Sequence, residues 1–421
     1  MHILIAPDSF KESLSALEVA QAIASGLQRV WPDAQYTLMP LADGGEGTVD
    51  TLVEAMEGEY VPVRAHDPLM RPIFARYGLI NDGHTAIIEV AAASGLALVD
   101  PEERDALTAT SFGTGELIRH ALDQGIRDFI IGLGGSATSD GGAGLAQALG
   151  FSFHDTREDE VDFADAVGHE LQPGDVARHI PVPGDAITHE LELGGAALVN
   201  LAHIDDTYMH PALAECRIQI ACDVANPLCG PRGAAPVYSP QKGATPEQVE
   251  ILSEALLHYA TVLQHYFSYL ASKGQFKTLE GLSEYGIAYL PGGGAAGGIG
   301  AGLVALTPAT LKSGFDLVAE VCGLEEAIQA CDLVITGEGR LDAQTTQGKV
   351  PNGVAKLAQQ HGTPVVAFCG TVAAELSETA RGLFREIHAI DHRAKSMEDA
   401  LEHAATHLSA LAESYARSVD A

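Results

Sequence analysis

Short apolar runs alternate with amphipathic stretches at both ends of the chain, which is the pattern of βα units that build a parallel sheet. Apolar runs at residues 2–6 and 36–41 are each followed by residues whose apolar positions have helical spacing. Further runs of this kind occur at residues 332–336, 364–368 and 386–390. The hydrophobic pattern therefore predicts that the two ends of the chain share a βα architecture.

The pattern changes near residue 60. Residues 60–63, 73–79 and 85–90 read as strands, and the turn residues Asn81-Asp82-Gly83 separate two of them. Strands joined by such turns are expected to pair in the antiparallel sense. A second domain is therefore predicted to begin close to this position.

One glycine-rich stretch joins a predicted strand at residues 129–131 to residues 145–149, which resume helical spacing. The turn between them contains Gly134, Gly135, Ser136 and Thr138. A strand that turns through glycine into a helix leaves backbone N–H groups free for an anion, and hydroxyl side chains add donors. This turn is predicted to bind phosphate.

Asp140 follows this turn. A carboxylate next to phosphates indicates that a metal ion or a proton is handled there, so phosphoryl transfer is the first hypothesis. Two alternatives stay open on the residues alone. The turn could serve only tight packing, or Gly132–Ala137 could be the dinucleotide pattern G-x-G-x-x-G/A with Asp155 as the ribose contact.

Charged and glycine residues also follow three other predicted strands. They are Asp8, Ser9 and Lys11 after residues 2–6, Asp43, Gly44, Gly45 and Glu46 after residues 36–41, and Glu338, Arg340 and Asp342 after residues 332–336. The carboxyl ends of parallel strands lie at one edge of a sheet, where α/β proteins bind ligands, so these residues are predicted to converge. Solvated loop charges, helix first-turn acids and surface ion pairs are the simpler interpretations.

Two further features concern glycine and lysine. Residues 290–302 form a second glycine-rich run, which includes Gly293 and could be an interdomain hinge or a backbone wall against a ligand. Lys242 stands out because only 24 of the 421 residues are Lys or Arg. A protein that binds anions must concentrate such scarce cations locally, so Lys242 is a candidate binding residue.

The composition is strongly acidic, since 24 Lys and Arg against 57 Asp and Glu give a formal net charge of −33. Such a surface repels nucleic acid and anionic lipid, so neither is expected as a partner. One hypothesis is that the acidity reflects life in high salt, where self-repulsion is screened. A melting temperature that does not rise with added salt would argue against it.

No apolar run approaches the ~18–20 residues of a membrane span, and the N-terminal pattern is not that of a signal peptide. A cytoplasmic location is therefore expected. The six cysteines form no C-x-x-C motif, which indicates buried, reduced thiols. Residues 151–211 are acidic and irregular and are predicted to be a surface excursion without chemistry.

Several sequence blocks in matching order resemble the bacterial type I glycerate kinase family over nearly the whole chain. The blocks are Pro7–Ala16, Leu41–Thr48, Gly134–Thr138, Asp140–Gly144, Gln241–Ala244 and Gly337–Asp342. Two departures are visible. Ser139 stands where the family usually has Asn, and the 151–211 segment is longer than expected.

The resemblance implies transfer of the γ-phosphoryl group of ATP to D-glycerate, most often giving 2-phosphoglycerate, with Mg²⁺ as the metal. It also implies a flavodoxin-like parallel α/β domain, predicted at residues 1–60 and 305–421, and an inserted mixed α/β domain at residues 61–304. The inserted domain would resemble a restriction-enzyme-like fold, with the active site in the cleft between the two. A homodimer is left open.

The expected roles follow from residue chemistry within this framework. Asp43 or Asp140 holds Mg²⁺ or accepts the glycerate hydroxyl proton, while Lys11 and Arg340 neutralise the substrate carboxylate and the migrating phosphoryl group. Substitution of Asp140 or Lys11 by Ala is expected to slow turnover by at least ~10²-fold. The remaining candidates for contacts to phosphate, hydroxyl or metal are Asp8, Ser9, Gly44, Gly45, Glu46, Gly134, Gly135, Ser136, Thr138, Lys242, Gly293, Glu338 and Asp342.

Three other functions are weighed against this one. A kinase of the same kind could form 3-phosphoglycerate, which the sequence does not distinguish. A nicotinamide-dependent dehydrogenase could use one of the two G-x-G-x-x-G/A matches. A carboxylate-binding protein would bind glycerate without consuming ATP.

Overall fold

The computed structural model describes residues 1–11, 13–45, 47–156, 188–272, 282–342, 349–373, 376–391 and 396–420. Its strands are β1 His2–Ile5, β2 Gln35–Leu38, β3 Glu59–His66, β4 Pro72–Ile80, β5 Thr85–Glu89, β6 Asp128–Gly132, β7 Ser152–Thr156, β8 Thr188–Glu190, β9 Leu201–Asp205, β10 Arg217–Ala221, β11 Ala309–Lys312, β12 Leu333–Thr336, β13 Arg340–Leu341, β14 Val365–Cys369, β15 Thr371–Val372 and β16 Glu386–Ala389.

Its helices are α1 Ala16–Gln28, α2 Thr48–Ala55, α3 Ala91–Ser94, α4 Phe112–Asp123, α5 Ala143–Ala148, α6 Ala234–Tyr238, α7 Pro246–Ser272, α8 Leu282–Tyr289, α9 Ile299–Leu306, α10 Gly314–Cys322, α11 Leu324–Gln329, α12 Val350–His361, α13 Glu378–Arg381, α14 Met397–Glu402 and α15 Ala404–Val419. The protein is therefore of the mixed α/β class, as predicted.

A five-stranded parallel sheet is built from the two ends of the chain, in the order β16-β14-β12-β1-β2. Ile3 pairs with Leu333 on one side and with Tyr36 on the other. The central strands are continuous apolar runs because both faces of the sheet are covered by helices. The predicted βα architecture of the chain ends is confirmed in these pairings.

Helix α1 shows how local sequence fixes an element of this layer. Ser15 accepts a hydrogen bond from the backbone N–H of Glu18, whose side chain in turn accepts one from the backbone N–H of Ser15. Such a capping box contributes about 1 kcal/mol. The apolar face of α1 packs on α15, where Trp31, just beyond α1, meets Tyr415 edge to face.

A six-stranded mixed sheet lies between these chain ends in sequence, in the order β11-β10-β6-β5-β4-β3. Strands β3, β4 and β5 pair in the antiparallel sense, as the alternation near residue 60 predicted, whereas β5, β6, β10 and β11 are parallel. Strand β11 adds to this sheet although the predicted boundary at residue 305 precedes it. The domain division stays a prediction.

The two sheets share buried contacts. One contiguous apolar cluster includes Leu4 and Val334 of the five-stranded sheet together with Ile87 and Ile130 of the six-stranded sheet. Its members are almost completely inaccessible to solvent. Because packed interiors resist relative displacement, this cluster holds the two sheets in a fixed arrangement and so positions the loops at their ends.

Candidate active site

The first cavity lies at the carboxyl edge of the five-stranded sheet and has a volume of about 310 Å³. Its polar lining comes from the residues that follow each strand. They are Asp8, Ser9 and Lys11 after β1, Asp43 after β2, Glu338, Arg340 and Asp342 after β12, Gly370 and Thr371 after β14, and Asp391 after β16. The predicted convergence of the strand ends is therefore seen in the structure.

Two carboxylates at the floor of this cavity are buried. Asp8 is 8% exposed and Glu338 is 5% exposed. Burial, followed by the negative charge of Asp43, raises the pKa of Asp8 to about 7, although the backbone N–H of Ser9 donates to its Oδ1 at 2.7 Å and opposes the rise. Asp8 is thus a carboxyl group that titrates near neutrality.

Two cations of this cavity each lie close to one of its carboxylates. Lys349 Nζ lies 3.6 Å from Glu338 Oε2, and Arg340 Nε lies 3.6 Å from Asp342 Oδ2. The Arg340 side chain is 68% exposed, so its ion pair is weak, at about 0–1 kcal/mol. An incoming anion can therefore take over the Arg340 guanidinium at little cost.

The first cavity also has an apolar wall. It consists of Phe10, Ile390, Ala400, Leu401 and Ala404. The Ser13 hydroxyl donates to the Leu401 carbonyl at 2.6 Å, which ties the loop that carries Lys11 to helix α14. This hydrogen bond therefore joins the apolar wall to the loop that contributes Lys11 to the same cavity.

The second cavity, of about 460 Å³, lies where the carboxyl edge of the six-stranded sheet faces the β2–α2 loop. Its lining includes Gly44, Gly45, Gly134, Gly135, Ser136, Cys222, Asp223, Val224, Tyr238, Gln241, Lys242, Ala295 and Ala296. Burial, then the charge of Asp43, raises the pKa of Asp223 to about 6 against a hydrogen bond from Gly314 N–H. This cavity therefore combines glycine backbone with a carboxyl group and, in Lys242, a lysine.

Lys242 is the buried cation of the second cavity. It is 2% exposed, and its Nζ donates to Ser136 Oγ at 2.9 Å and to the Thr138 carbonyl at 2.5 Å. Burial lowers its pKa to about 7, while the charge of Asp140 acts in the opposite direction. Lys242 therefore both fixes the glycine turn and places a titratable cation behind it.

Lys11 and Asp43 line both cavities. The two cavities are therefore adjacent, and a ligand in one can meet a ligand in the other at these two side chains. A cation and a carboxylate at such a junction are the groups that a transfer between two bound molecules requires.

The sequence of this chain matches a known protein family. The chain matches the model of the glycerate kinase family over residues 3–179 and 183–420. The chain belongs to the glycerate kinase family. The resemblance found in the sequence blocks is confirmed by this match, which spans nearly the whole chain.

Two curated relatives and one solved structure agree with this family. Glycerate kinase of Haemophilus influenzae is 42% identical over 417 residues, covering 99% of this chain and 98% of the relative. Glycerate 2-kinase of Escherichia coli K12 is 44% identical over 372 residues, covering 88% and 86%. A crystal structure from Salmonella typhimurium LT2, provisionally named glycerate kinase 2, has a TM-score of 0.81 at 42% identity, covering 100% of this chain and 98% of that one.

Family membership resolves the dehydrogenase alternative in favour of a phosphotransferase. The structure gives a physical reason as well. A dinucleotide-binding turn leads directly from strand to helix, whereas residues 133–142 separate β6 from α5 here. Asp155, the supposed ribose contact, lies on β7, which belongs to a separate antiparallel sheet with β8 and β9 rather than to the parallel strands next to β6.

Asp140 lies outside both cavities, and its catalytic or metal-binding role stays a prediction. The residue is fully buried and lines neither cavity. Its Oδ2 accepts from Ser111 N–H at 2.7 Å, Ser111 Oγ at 2.9 Å, Thr110 Oγ1 at 3.3 Å and Gly144 N–H at 3.3 Å, and its Oδ1 accepts from Gly142 N–H at 3.1 Å. The carboxylate therefore joins α4 to α5 as a structural group.

Two other predicted contacts also lie outside the cavities. Thr138 is fully buried, and its hydroxyl has no hydrogen-bond partner among the described residues. Gly293 is packed against Leu290 and Ala301, behind the part of the loop that reaches the second cavity. Glu46 lies outside the described residues. The remaining predicted site residues line one cavity or both.

Sequence reasoning overlooked three charged residues of the site. Asp223, Lys349 and Asp391 each line a cavity but are not among the predicted site residues. Asp223 and Asp391 each follow a strand end, so applying the strand-end rule to every strand would have found them. Lys349 begins a helix, and no local signal marks it.

Other expectations can be checked directly. The six cysteines are free, and burial raises the pKa of Cys229 and of Cys369 to about 12, so these thiols are inert. Among the described residues, no helix has both the length and the apolar character that crossing a bilayer would demand.

Proposed function

We propose that this protein transfers the γ-phosphoryl group of ATP to the 2-hydroxyl group of D-glycerate, giving ADP and 2-phosphoglycerate. Family membership supports the reaction class, and the Escherichia coli relative carries the name glycerate 2-kinase. The observation that carries the proposal is the junction of the two cavities at Lys11 and Asp43. It allows two small ligands to meet beside a cation and a carboxylate.

Cations at and near this junction would stabilise the negative charge of the phosphoryl group during its transfer. Lys11 stands where both cavities meet, and Arg340 lines the first cavity with a weakly held side chain. Phosphoryl transfer depends on positioning and on electrostatic stabilisation, since the protein has little covalent chemistry to perform. We assign Lys11 to the migrating phosphoryl group and Arg340 to the substrate carboxylate.

Asp8 is the proposed proton acceptor in place of Asp140. A pKa of about 7 suits a general base, because the carboxylate is both available and basic near neutral pH. In the reaction, the glycerate hydroxyl loses its proton to Asp8 and its oxygen bonds to the γ-phosphorus. The bond from that phosphorus to the β,γ-bridging oxygen breaks, and ADP leaves.

Mg²⁺ is part of the proposal, and the donor set fits it. Among the described residues, no three His, Cys, Asp or Glu side chains form a group that could hold a metal. Mg²⁺ usually needs only one or two carboxylates in addition to waters and substrate phosphates. Asp43 and Asp223 both line the second cavity and would hold it there. When bound, the ion supplies neutralisation of phosphate charge.

A coupled assay of ADP release tests the function. Wild-type protein is incubated with ATP and D-glycerate, with Mg²⁺ or with excess EDTA. We expect ADP release that requires both D-glycerate and Mg²⁺. Absence of ADP release with D-glycerate would contradict the proposal, and binding of glycerate without ADP release would favour a carboxylate-binding protein. Phosphorus NMR of the product distinguishes the 2-phosphate from the 3-phosphate.

The proposal includes the domain division into residues 1–60 with 305–421 and residues 61–304, and the cytoplasmic location. The two separate sheets support the division, and the cytoplasmic location is carried over from the sequence as a prediction. Limited proteolysis that releases a stable fragment near residues 61–304 would support the division.

A further inference from the structure

The two cavities offer different hydrogen-bonding groups, and we propose that they divide the substrates: the nucleotide binds in the second cavity and the hydroxy acid in the first. This division rests on the proposed function, because it presupposes an ATP-dependent kinase of a hydroxy acid. It adds which cavity receives which substrate.

The glycine turn provides unpaired backbone donors to the second cavity. Within the described part of the chain, the N–H groups of Gly134, Gly135 and Ser136 donate to no protein partner. Gly135 has a φ of +70°, and a left-handed residue in such a turn makes successive N–H groups converge on an anion. A triphosphate has the charge and the number of oxygens to accept from all three.

Lys242 gives this turn a positive charge. Its Nζ is bonded to Ser136 and to Thr138, on the same turn that presents the free N–H groups. A fully buried cation is costly unless negative charge faces it, and Asp140 supplies only part of that charge. A bound phosphate chain would supply the remainder.

The backbone donors of the first cavity are largely used within the protein. Ser9 N–H donates to Asp8 Oδ1, Phe10 N–H to the Leu14 carbonyl, Gly370 N–H to the Glu338 carbonyl and Thr371 N–H to the Gly339 carbonyl. The first cavity therefore acts through side chains, with carboxylates that accept from hydroxyls and cations that pair with a carboxylate. D-Glycerate carries two hydroxyls and one carboxylate and matches that lining.

Size also favours the nucleotide in the second cavity, although the lining of the first cavity is the more apolar of the two. Its volume is about 460 Å³, against about 310 Å³ for the first. Leu96, Leu133 and Val224 supply apolar surface there, and Tyr238 supplies an aromatic ring. A nucleoside packs against such groups, whereas glycerate has little apolar surface to bury.

The apolar wall of the first cavity, with Phe10, Ile390 and Leu401, is the strongest feature in favour of the reverse assignment. It carries less weight because five carboxyl groups line the first cavity against the three cations Lys11, Arg340 and Lys349, whereas the second cavity has two of each. The excess of negative charge in the first cavity would repel a triphosphate. The reverse assignment is one outcome of the experiment below.

Isothermal titration calorimetry with two separate probes tests the division: ADP in the presence of Mg²⁺, and D-glycerate alone. The proteins are wild type, Gly135→Ala and Arg340→Gln. Since Ala is strained at φ +70°, Gly135→Ala is expected to weaken ADP binding by at least ~10-fold and to change glycerate binding by less than ~3-fold. Arg340→Gln is expected to do the reverse.

Gly362→Ala is the matched control. Gly362 has a φ of +71°, and an added Cβ would meet nothing within 4 Å. It lies at the end of α12 and lines neither cavity. Both dissociation constants are expected to stay at their wild-type values. Should Gly135→Ala fail to fold, Lys242→Met takes its place, with the same expected loss of ADP binding.

The opposite pattern, in which Gly135→Ala weakens glycerate binding and Arg340→Gln weakens ADP binding, would overturn the division. Equal weakening of both ligands by either variant would overturn it too. Wild-type ADP release is measured in parallel. If turnover is normal and the binding pattern is reversed, only the division fails; if wild-type protein binds neither substrate, the proposed function fails with it.

Discussion

The carboxyl edges of the two parallel sheet regions follow the same rule of α/β proteins but carry different chemistry. The edge of the five-stranded sheet presents charged side chains, among them Asp8, Glu338 and Arg340. The edge of the six-stranded sheet presents glycine backbone, Ser136, the carboxylate of Asp223 and one buried lysine, Lys242. Fold geometry therefore determines where ligands bind, while the residue types in each loop determine which ligand and which chemistry.

The two carboxylates Asp8 and Asp140 show the same contrast between the two sheets. Asp8 and Asp140 each follow a strand and a short turn, yet Asp8 faces a cavity and Asp140 is surrounded by donors from α4 and α5. A carboxylate whose oxygens are already occupied has little capacity left for substrate or metal. The position of a carboxylate in a loop thus matters less than what its oxygens contact.

The largest expected effect is a loss of turnover when a residue at the carboxyl edge of the five-stranded sheet is substituted. Asp8→Asn removes the proposed proton acceptor and is expected to lower kcat by at least ~10²-fold, measured by ADP release at saturating substrates. Because the base form of Asp8 is needed, wild-type kcat/KM is expected to fall as pH drops below about 7. The exposed Asp33 gives the control Asp33→Asn, which should leave kcat unchanged. Normal turnover of Asp8→Asn would remove Asp8 from the mechanism.

A second variant tests the structural assignment of Asp140. Asp140→Asn weakens charge-assisted hydrogen bonds to Ser111 and Gly142 and is expected to destabilise the protein by about 2 kcal/mol. In the fraction that folds, kcat is expected to stay within ~3-fold of wild type, since the residue lines neither cavity. Urea unfolding and ADP release measure the two quantities. A ~10²-fold loss of kcat with stability unchanged would restore the catalytic role.

A third prediction concerns the pH dependence of stability at the glycine edge. The Lys242 pKa is lowered to about 7 in the folded protein, against an ordinary value of 10.5. Between these values the unfolded chain binds one more proton, so this residue makes stability rise with pH, by up to ~1.4 kcal/mol per unit. Lys242→Met should therefore lose that part of the slope between pH 7 and 10.

Urea unfolding of wild type and Lys242→Met at several pH values isolates the Lys242 contribution, because other titrating groups are common to both proteins. Identical slopes would mean that Lys242 stays protonated in the fold.

The elements of the fold were predictable where the signal is local. The apolar runs at residues 332–336 and 364–368 became β12 and β14, and the turn Asn81-Asp82-Gly83 joins β4 to β5 as expected. Hydrophobic periodicity is a property of neighbouring residues, so it can be read from the sequence without knowledge of the fold. The membership of β11 in the six-stranded sheet was missed because strand pairing depends on distant residues.

The residues that line the cavities were likewise predictable where the sequence signal is local. Lys11, Asp43 and Arg340 were found because a strand end marks each of them. The sequence did not show that the oxygens of Asp140 are occupied, because their donors, such as Ser111, lie 29 residues away and reach Asp140 only through the packing of α4. Lys242 likewise meets Ser136 across 106 residues. Such contacts are set by tertiary structure, which a single sequence does not display.

The central claim is that the two edges act on one phosphoryl group where they meet. Its most direct test is Lys11→Ala, with kcat and the separate dissociation constants of ADP and D-glycerate measured on the same preparation. The account predicts that kcat falls by at least ~10²-fold while each ligand still binds within ~10-fold of wild type. Near-normal kcat in Lys11→Ala would contradict it.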